Sequence, residues 1–405
     1  MPTGSVVSAG KTEPANPAPR TSWLSVIAVM MGIFSIVTTE ILPIGLLTSI
    51  GSSFTVSDGM AGLMMTMPGI LAAVSAPLVT VATARIDRRR MLCTFILLLA
   101  MANFLAAAAS NYWLVLVSRL LVGIVIGGFW SIGAGLASRL VPAESVGRAT
   151  AIIFSSVPLG SVLGVPLGTF VGDVAGWRMA FVVMGVLTVA VFAALLLVLP
   201  PLPCEKATRL AVLGGTLRSV NTRFALVATF LLVIAHFGAY TYITPFLEQI
   251  TQVSSSLITV FLLVYGAAGI VGNFIGGATA TPYPRATFAA AATMIATATL
   301  LLPVLGQWPA GAVALLVLWG AAYGAVPVCS QTWFTKAAPH TPEASTVIFT
   351  ASFQATLSIG ALAGGLIVDR SSPSTVMTLG GTTAALMTLV VWLHHTKRIT
   401  WPGTD

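Results

Sequence analysis

Twelve apolar segments, each near the length needed to cross a bilayer, constrain this chain more than any other feature. They run over residues 22–50, 58–83, 91–110, 113–138, 146–172, 177–199, 223–247, 254–281, 286–304, 309–335, 343–368 and 375–394. A helix rises about 1.5 Å per residue and the hydrocarbon core is about 30 Å thick, so about 20 residues suffice for one crossing. Inside hydrocarbon a lone segment must satisfy its own backbone N–H and C=O groups, and long apolar runs do so as helices. The segments therefore predict an all-α membrane protein with twelve transmembrane helices. Composition agrees, with 57% hydrophobic and 7% charged residues, against about 25% charged in soluble domains.

The net charge of +8 does not point to nucleic acid. The basic residues sit in short loops between apolar segments, with no stacking aromatics among them. With both termini cytoplasmic, sixteen of the nineteen lysines and arginines fall on the cytoplasmic side. Arg178 and Arg370 lie outside and Arg119 lies within a helix, an asymmetry that fixes the expected orientation. The three cysteines, Cys93, Cys204 and Cys329, are odd in number and far apart, so free thiols are expected and neither a disulfide framework nor a metal site. Residues 1–21, rich in Pro, Ala and Ser, read as a disordered cytoplasmic tail. The first apolar segment is far longer than a signal-peptide core, and no cleavable leader is expected before it.

A polar stretch over 201–222 divides the helices six and six, giving expected bundles at 22–200 and 223–395, a cytoplasmic linker between them, and a cytoplasmic tail at 396–405. An internal repeat supports the division. Shifted by 197 residues, Gly123, Gly127, Arg139 and Pro142 meet Gly320, Gly324, Lys336 and Pro339. Shifted by 196, Gly164, Gly168 and Asp173 meet Gly360, Gly364 and Asp369. Two pseudo-symmetric six-helix bundles are the organisation expected of a transporter, with the substrate site between them near mid-membrane.

Charges inside the apolar segments are the leading candidates for chemistry. In Arg119-Leu-Leu-Val-Gly123-Ile-Val-Ile-Gly127-Gly-Phe-Trp130, residues 119, 123, 127 and 130 share a stripe about 80° wide. A guanidinium in a lipid-spanning helix costs roughly 2.5–3.5 kcal/mol, so Arg119 should face protein or water. Its expected partner is Glu40, in Thr38-Thr39-Glu40-Ile-Leu-Pro43, at a similar depth. Such a carboxylate could carry a proton and switch its pairing with conformation; the alternative is a permanent structural salt bridge. His236, with Tyr240 one turn on, could bind a polar ligand or relay a proton, since imidazole ordinarily titrates near neutrality. It could equally be a histidine hydrogen-bonded within the bundle. Trp130, Asn273 and Gln354 are further candidates for a substrate cavity, Trp130 having packing as its alternative role.

Helix five, with Pro158, Gly160, Gly164, Pro166, Gly168 and Gly172, carries a glycine groove and two helix breakers. Either it packs tightly and stays still, or it forms a moving seam between the halves. Asp87 and Arg88, in the loop between helices two and three, are basic-loop residues that could also latch one conformation. The sequence shows no phosphate-binding loop and no zinc-ligand spacing, so neither a nucleotide nor a prosthetic group is implied.

These motifs resemble the major facilitator superfamily over about residues 22–395, in particular its drug:proton antiporter branch containing bacterial sugar-efflux and purine-ribonucleoside-efflux transporters. Thr38-Thr39-Glu40-Ile-Leu-Pro43 is similar to that branch's first-helix motif, Arg119-Leu-Leu-Val-Gly123 to its fourth-helix motif, and Gly160-Ser-Val-Leu-Gly164-Val-Pro166-Leu-Gly168 to its fifth-helix antiporter motif. Ala235-His236-Phe-Gly-Ala-Tyr240 looks like helix seven of the sugar exporters. The loop between helices two and three departs from the family pattern, with Thr83 at the first glycine position, and Pro282-Tyr283-Pro284-Arg285 lacks the acidic residue usual after helix eight. The resemblance implies the major facilitator fold and a monomer in the bacterial inner membrane. It implies exchange of incoming protons for an outgoing small organic solute, with Glu40 carrying the proton, Arg119 as its switchable partner, and His236 with Tyr240 in the site. A proton-coupled importer shares these features, and a membrane enzyme or non-transporting sensor is the reading from outside transport.

Overall fold

The computed structural model describes residues 21–82, 86–133, 136–203, 220–280, 282–337 and 342–395. The two tails, most of the linker (204–219), Cys204 and Thr83 lie outside the described residues. Every regular element among the described residues is helical. The twelve long helices are α1 (Thr21–Phe54), α2 (Asp58–Ala82), α3 (Arg88–Ala107), α4 (Tyr112–Gly133), α5 (Val146–Ala175) and α6 (Trp177–Val198), followed by α7 (Val220–Tyr240, resuming as Ile243–Gln249), α8 (Ser255–Ala280), α9 (Pro284–Leu305), α10 (Pro309–Ala337), α11 (Pro342–Arg370) and α12 (Pro373–His395). Ten are long and apolar enough to cross a membrane, the bent α7 makes an eleventh, and α12 completes the count by packing against α7 and α9. Large apolar side chains such as Trp113, Val174, Leu197 and Phe274 stand exposed around the bundle, as a lipid-facing surface requires. The chain is a multi-pass membrane protein.

One expected helix is interrupted. Residues 223–247 form a helix bent by 40° after Tyr240. Pro245 has no N–H for the carbonyl of Thr241, and Tyr242 N–H falls back on Ala239 O at 3.0 Å, a tighter turn than the α-helix.

The repeat seen in the sequence is a repeat of packing. Gly123 and Gly127 lay α4 against α2, so that a Cβ at Gly123 would come within 3.0 Å of Pro68 Cα; Gly320 and Gly324 lay α10 against Tyr265 and Gly269 of α8. In the same way Gly164 and Gly168 seat α5 on Ile41 and Leu42 of α1, and Gly360 and Gly364 seat α11 on Ile234 and Gly238 of α7. One buried cluster, around Ile33, Ile36, Ile96 and Phe129, fills the first half. A second, around Phe288, Trp319 and Trp333, fills the other.

The glycine groove of α5 is therefore not the seam between halves that its composition suggested. Gly160, Gly164, Gly168 and Gly172 all meet α1 of their own half. Spacing by four puts them on one helix face, and the opposite face of α5 carries Val162, which meets Gly266 of α8 at 2.8 Å from Cα to a built Cβ. The halves touch along α5–α8 and α2–α11.

Polar contacts between the halves gather at the end of the bundle away from the chain termini, called here the far end. Asp369 of α11 accepts from Ser57 Oγ (2.7 Å) and from the N–H of Gly59 (2.8 Å). Asp58 accepts from Gln249 Nε2 (3.2 Å), Glu248 from Thr48 Oγ1 (3.0 Å), Asp173 from Ser256 Oγ (3.2 Å), and Ile44 O from Thr244 Oγ1 (2.9 Å).

Candidate functional site

The site begins where prolines break the helical hydrogen-bond ladder. In α1, Pro43 has no N–H for the carbonyl of Thr39; in α2, Pro68 has none for that of Met64. Arg119 of α4 is 1% exposed and reaches both. Its Nη1 donates to Thr39 O at 3.0 Å, its Nη2 to Glu40 O at 2.9 Å and its Nε to Met64 O at 3.1 Å. The ion pair expected between Arg119 and the carboxylate of Glu40 is not what forms. The guanidinium contacts Glu40 through its main chain, beside the freed carbonyls of Thr39 and Met64, and these acceptors need no second charge.

The Glu40 carboxylate instead crosses to the other half. Its Oε1 accepts from Gln354 Nε2 of α11 at 2.9 Å, and Glu40 is 8% exposed. This bond lies at mid-depth, well inside the far-end contacts. Around it, Asn103 Nδ2 of α3 donates to Thr39 Oγ1 at 3.1 Å, while Thr38 Oγ1 and Asn103 Oδ1 are buried without a partner. Asn103 went unremarked in the sequence, although a lone amide in an apolar helix is a signal of the same kind as Glu40.

In the second half the polar group is embedded in rings. His236 is buried and accepts at Nδ1 from Trp319 Nε1 (3.0 Å), which leaves the imidazole proton on Nε2. Its ring stacks on Tyr323 with centroids 3.3 Å apart and on Tyr240 at 5.2 Å; Tyr240 in turn stacks on Tyr265 at 4.5 Å. Tyr323 is half-buried, and the hydroxyl of Tyr265 is buried without a partner. Phe237 and Phe353 link this column to α11 at Gln354, with centroids 5.8 Å from Phe237 to Tyr323 and 6.2 Å from Phe237 to Phe353. The structure thus joins Glu40, Gln354, His236 and Tyr240, all named from sequence, through Tyr323, Phe237 and Phe353, with Trp319 and Tyr265 flanking His236 and Tyr240; none of these aromatics was named. Aromatics in an apolar helix look like packing until a neighbouring helix shows what they stack on.

The remaining candidates lie apart from this chain of contacts. Trp130 is half-buried at the margin of the first-half core. Asn273 is half-buried on the same stripe of α8 as Gly266, facing α5. Pro166 sits inside α5, where its missing N–H leaves Val162 O without its helical donor. Asp87 caps α3 through the N–H groups of Arg89 and Arg90 and accepts from Leu202 N–H at 3.0 Å; Arg88 N–H donates to Leu202 O at 2.9 Å. Both residues thus tie the loop after α2 to the end of α6 in the same half. Among the described residues no group of three His, Cys, Asp or Glu is placed to share a metal ion, and Cys93 and Cys329 are buried thiols.

Comparison with known proteins agrees with this architecture. The Major Facilitator Superfamily profile matches residues 23–356. The Pseudomonas aeruginosa protein named "Transcription regulatory protein OpdE" is 33% identical over 360 residues, 88% of this chain and 90% of its own length. The "Purine ribonucleoside efflux pump NepI" of Salmonella paratyphi A is 30% identical over 372 residues, 92% of this chain and 94% of that one. Among solved structures, a bacterial homolog of the human lysosomal transporter Spinster, inward-facing and occupied, superposes with a TM-score of 0.75 at 16% identity, covering 95% of this chain and 98% of its own. The human organic anion transporter MFSD10 follows at 0.67 and 17%, over 92% of this chain and all of its own. The chain, a membrane-embedded transporter of small molecules, belongs to the Major Facilitator Superfamily.

Proposed function

We propose that the protein is a proton-driven exporter of small organic solutes bearing a flat aromatic group, a purine ribonucleoside being the first candidate. It works by alternating access, as a monomer in the bacterial cytoplasmic membrane with both termini inside. The observation that carries the reading is the bond from Gln354 to Glu40: a buried carboxylate whose partner belongs to the opposite half. A proton on Glu40 cancels its charge and occupies acceptor sites, so the strength of this cross-half bond depends on whether the proton is bound. Conversely, a rearrangement of the halves that strips Gln354 from Glu40 changes the affinity for that proton. Proton binding and conformation are then linked, as exchange requires.

On the expected orientation the far end, closed by Asp369, Asp58, Glu248 and Asp173, is the outer face, a closure shared by inward-facing and occluded transporters. Tyr323, the half-buried end of the column, offers a ring on which a planar base could stack, and Gln354 is the polar side chain on the neighbouring α11. The relatives named as purine ribonucleoside efflux pumps favour both the direction and the substrate. Reconstituted protein tests this: labelled purine ribonucleoside should move against its gradient when a pH gradient is imposed, and reverse when the pH gradient is reversed. Movement indifferent to the gradient would discard proton coupling. The name of the 33% identical relative favours a second reading, a membrane-embedded regulator. Saturable binding in the same vesicles with no transport under any gradient would favour it.

A further inference from the structure

We infer that Arg119 is a positioning residue that stands in for two missing backbone N–H groups, those of Pro43 and Pro68, and so clamps α1 and α2 together at their two proline breaks beneath Glu40. In an unbroken helix the carbonyl of residue 39 would accept from residue 43 and that of residue 64 from residue 68. Both donors are absent because both residues are proline. Lipid cannot supply a replacement, and a carbonyl orphaned in that setting is costly. The guanidinium answers both orphans at once: Nη1 to Thr39 O and Nε to Met64 O, with Nη2 on the next carbonyl of α1, Glu40 O.

The register of α4 is matched to this task. Gly123, one turn after Arg119, lies against Pro68, one turn after Met64, and a Cβ at Gly123 would come within 3.0 Å of Pro68 Cα. The glycine thus lets α4 lie against Pro68 while the arginine reaches the carbonyl that the proline leaves without its helical donor. Lysine could not do the same work, since one ammonium on a flexible stem cannot span acceptors on two helices in a fixed fork. The clamp fixes the main chain of Thr39 and Glu40, and through it the point from which the carboxylate reaches Gln354. In this arrangement the positive charge serves the backbone, and the carboxylate is left free for the opposite half.

The test is a thermodynamic cycle on the full-length protein in detergent, read as apparent Tm. Arg119→Met with the prolines in place should lower Tm by roughly 5 °C or more, since it orphans the carbonyls again. In the background Pro43→Ala with Pro68→Ala, where the N–H groups return, the same substitution should cost little or raise Tm. Arg119→Lys should behave like Arg119→Met in the natural background, and the alanine pair should restore it. If Pro43→Ala prevents folding, Pro68→Ala alone carries the cycle for the Nε–Met64 bond, with a smaller shift of the same sign. Strictly additive effects would overturn the clamp, and so would full recovery by Arg119→Lys, since charge alone would then suffice.

Discussion

The two halves share a fold and differ in what occupies the same place in it. The shift of 196 residues that carries Gly164 to Gly360 also carries position 40 to position 236, so Glu40 and His236 are equivalent. In the first half that position is ionic, backed by a guanidinium and the amide of Asn103. In the second it is aromatic, with His236 between Tyr323 and Tyr240 and held by Trp319. Position 119, shifted by 197, becomes Leu316, a buried residue with no charge to offer. A duplicated scaffold has thus been given two chemistries, a group that can hold a proton and a surface that can stack a ring. Gln354 joins them, which suggests a division of labour between halves.

Glu40→Gln tests the ionic half and should have the largest effect. Transport driven by an imposed pH gradient should fall to background, while Kd for substrate stays near its natural value. Proteoliposome flux and a binding isotherm on the same preparation separate the two. Gradient-driven flux at the natural rate would end the proton-carrying role.

Tyr323→Leu tests the aromatic half and should do the converse. A base stacked on an aromatic ring gains about 1–3 kcal/mol, so losing the half-buried ring should weaken binding by about 5- to 150-fold while the response to pH gradient persists. An unchanged Kd would mean that the column packs the second half and does not meet substrate.

Much of this was legible in the residues, and the illegible part has a physical cause. Twelve apolar lengths and a glycine repeat set the helices and their neighbours, because membrane helices pack on small residues whose spacing is visible in the chain. Glu40, Arg119 and His236 stood out because polar groups are costly in lipid. What Arg119 bonds to did not, since backbone carbonyls have no signature of their own. The signal lay one turn further on, in Pro43 and Pro68, and required reading a proline as an orphaned acceptor as well as a kink. The far-end carboxylates take their donors from helices distant in sequence, and nothing in the chain marks which serine, threonine or amide each will meet.

Equivalent glycines sharpen the comparison at a smaller scale. A Cβ at Gly360 would stand 2.9 Å from Ile234 O and 3.1 Å from Gly238 N, both backbone atoms; at Gly164 the nearest atom is Ile41 Cγ1 at 3.0 Å, a side chain that can shift, and the nearest backbone atom is Thr38 Cα at 3.2 Å. Gly360→Ala should therefore lower stability by about 1–3 kcal/mol and Gly164→Ala by less. Thermal unfolding of the two variants decides, and equal losses would mean that the halves pack with the same tolerance.

The smallest effect is expected where the halves are most alike. Asp173 and Asp369 are equivalent under the 196-residue shift, and each closes the far end onto a serine of the opposite half, Ser256 and Ser57 respectively. The two closures are not equally strong. Asp369 takes a second bond from the Gly59 N–H and sits against it so closely that a Cβ there would meet the carboxylate, whereas Asp173 holds one bond at 3.2 Å. Both are exposed, so water replaces a lost acceptor and each closure contributes at most about 1 kcal/mol. Asp369→Ala should move the population towards an open far end by no more than about fivefold, and Asp173→Ala by less. Spin labels at the exposed positions Ser110 and Gln307 would report this as a longer-distance component in pulsed dipolar spectra. A larger opening with Asp173→Ala would show that the α5–α8 contact, rather than α2–α11, holds the far end shut, and the seam would then have to be redrawn around Val162 and Gly266.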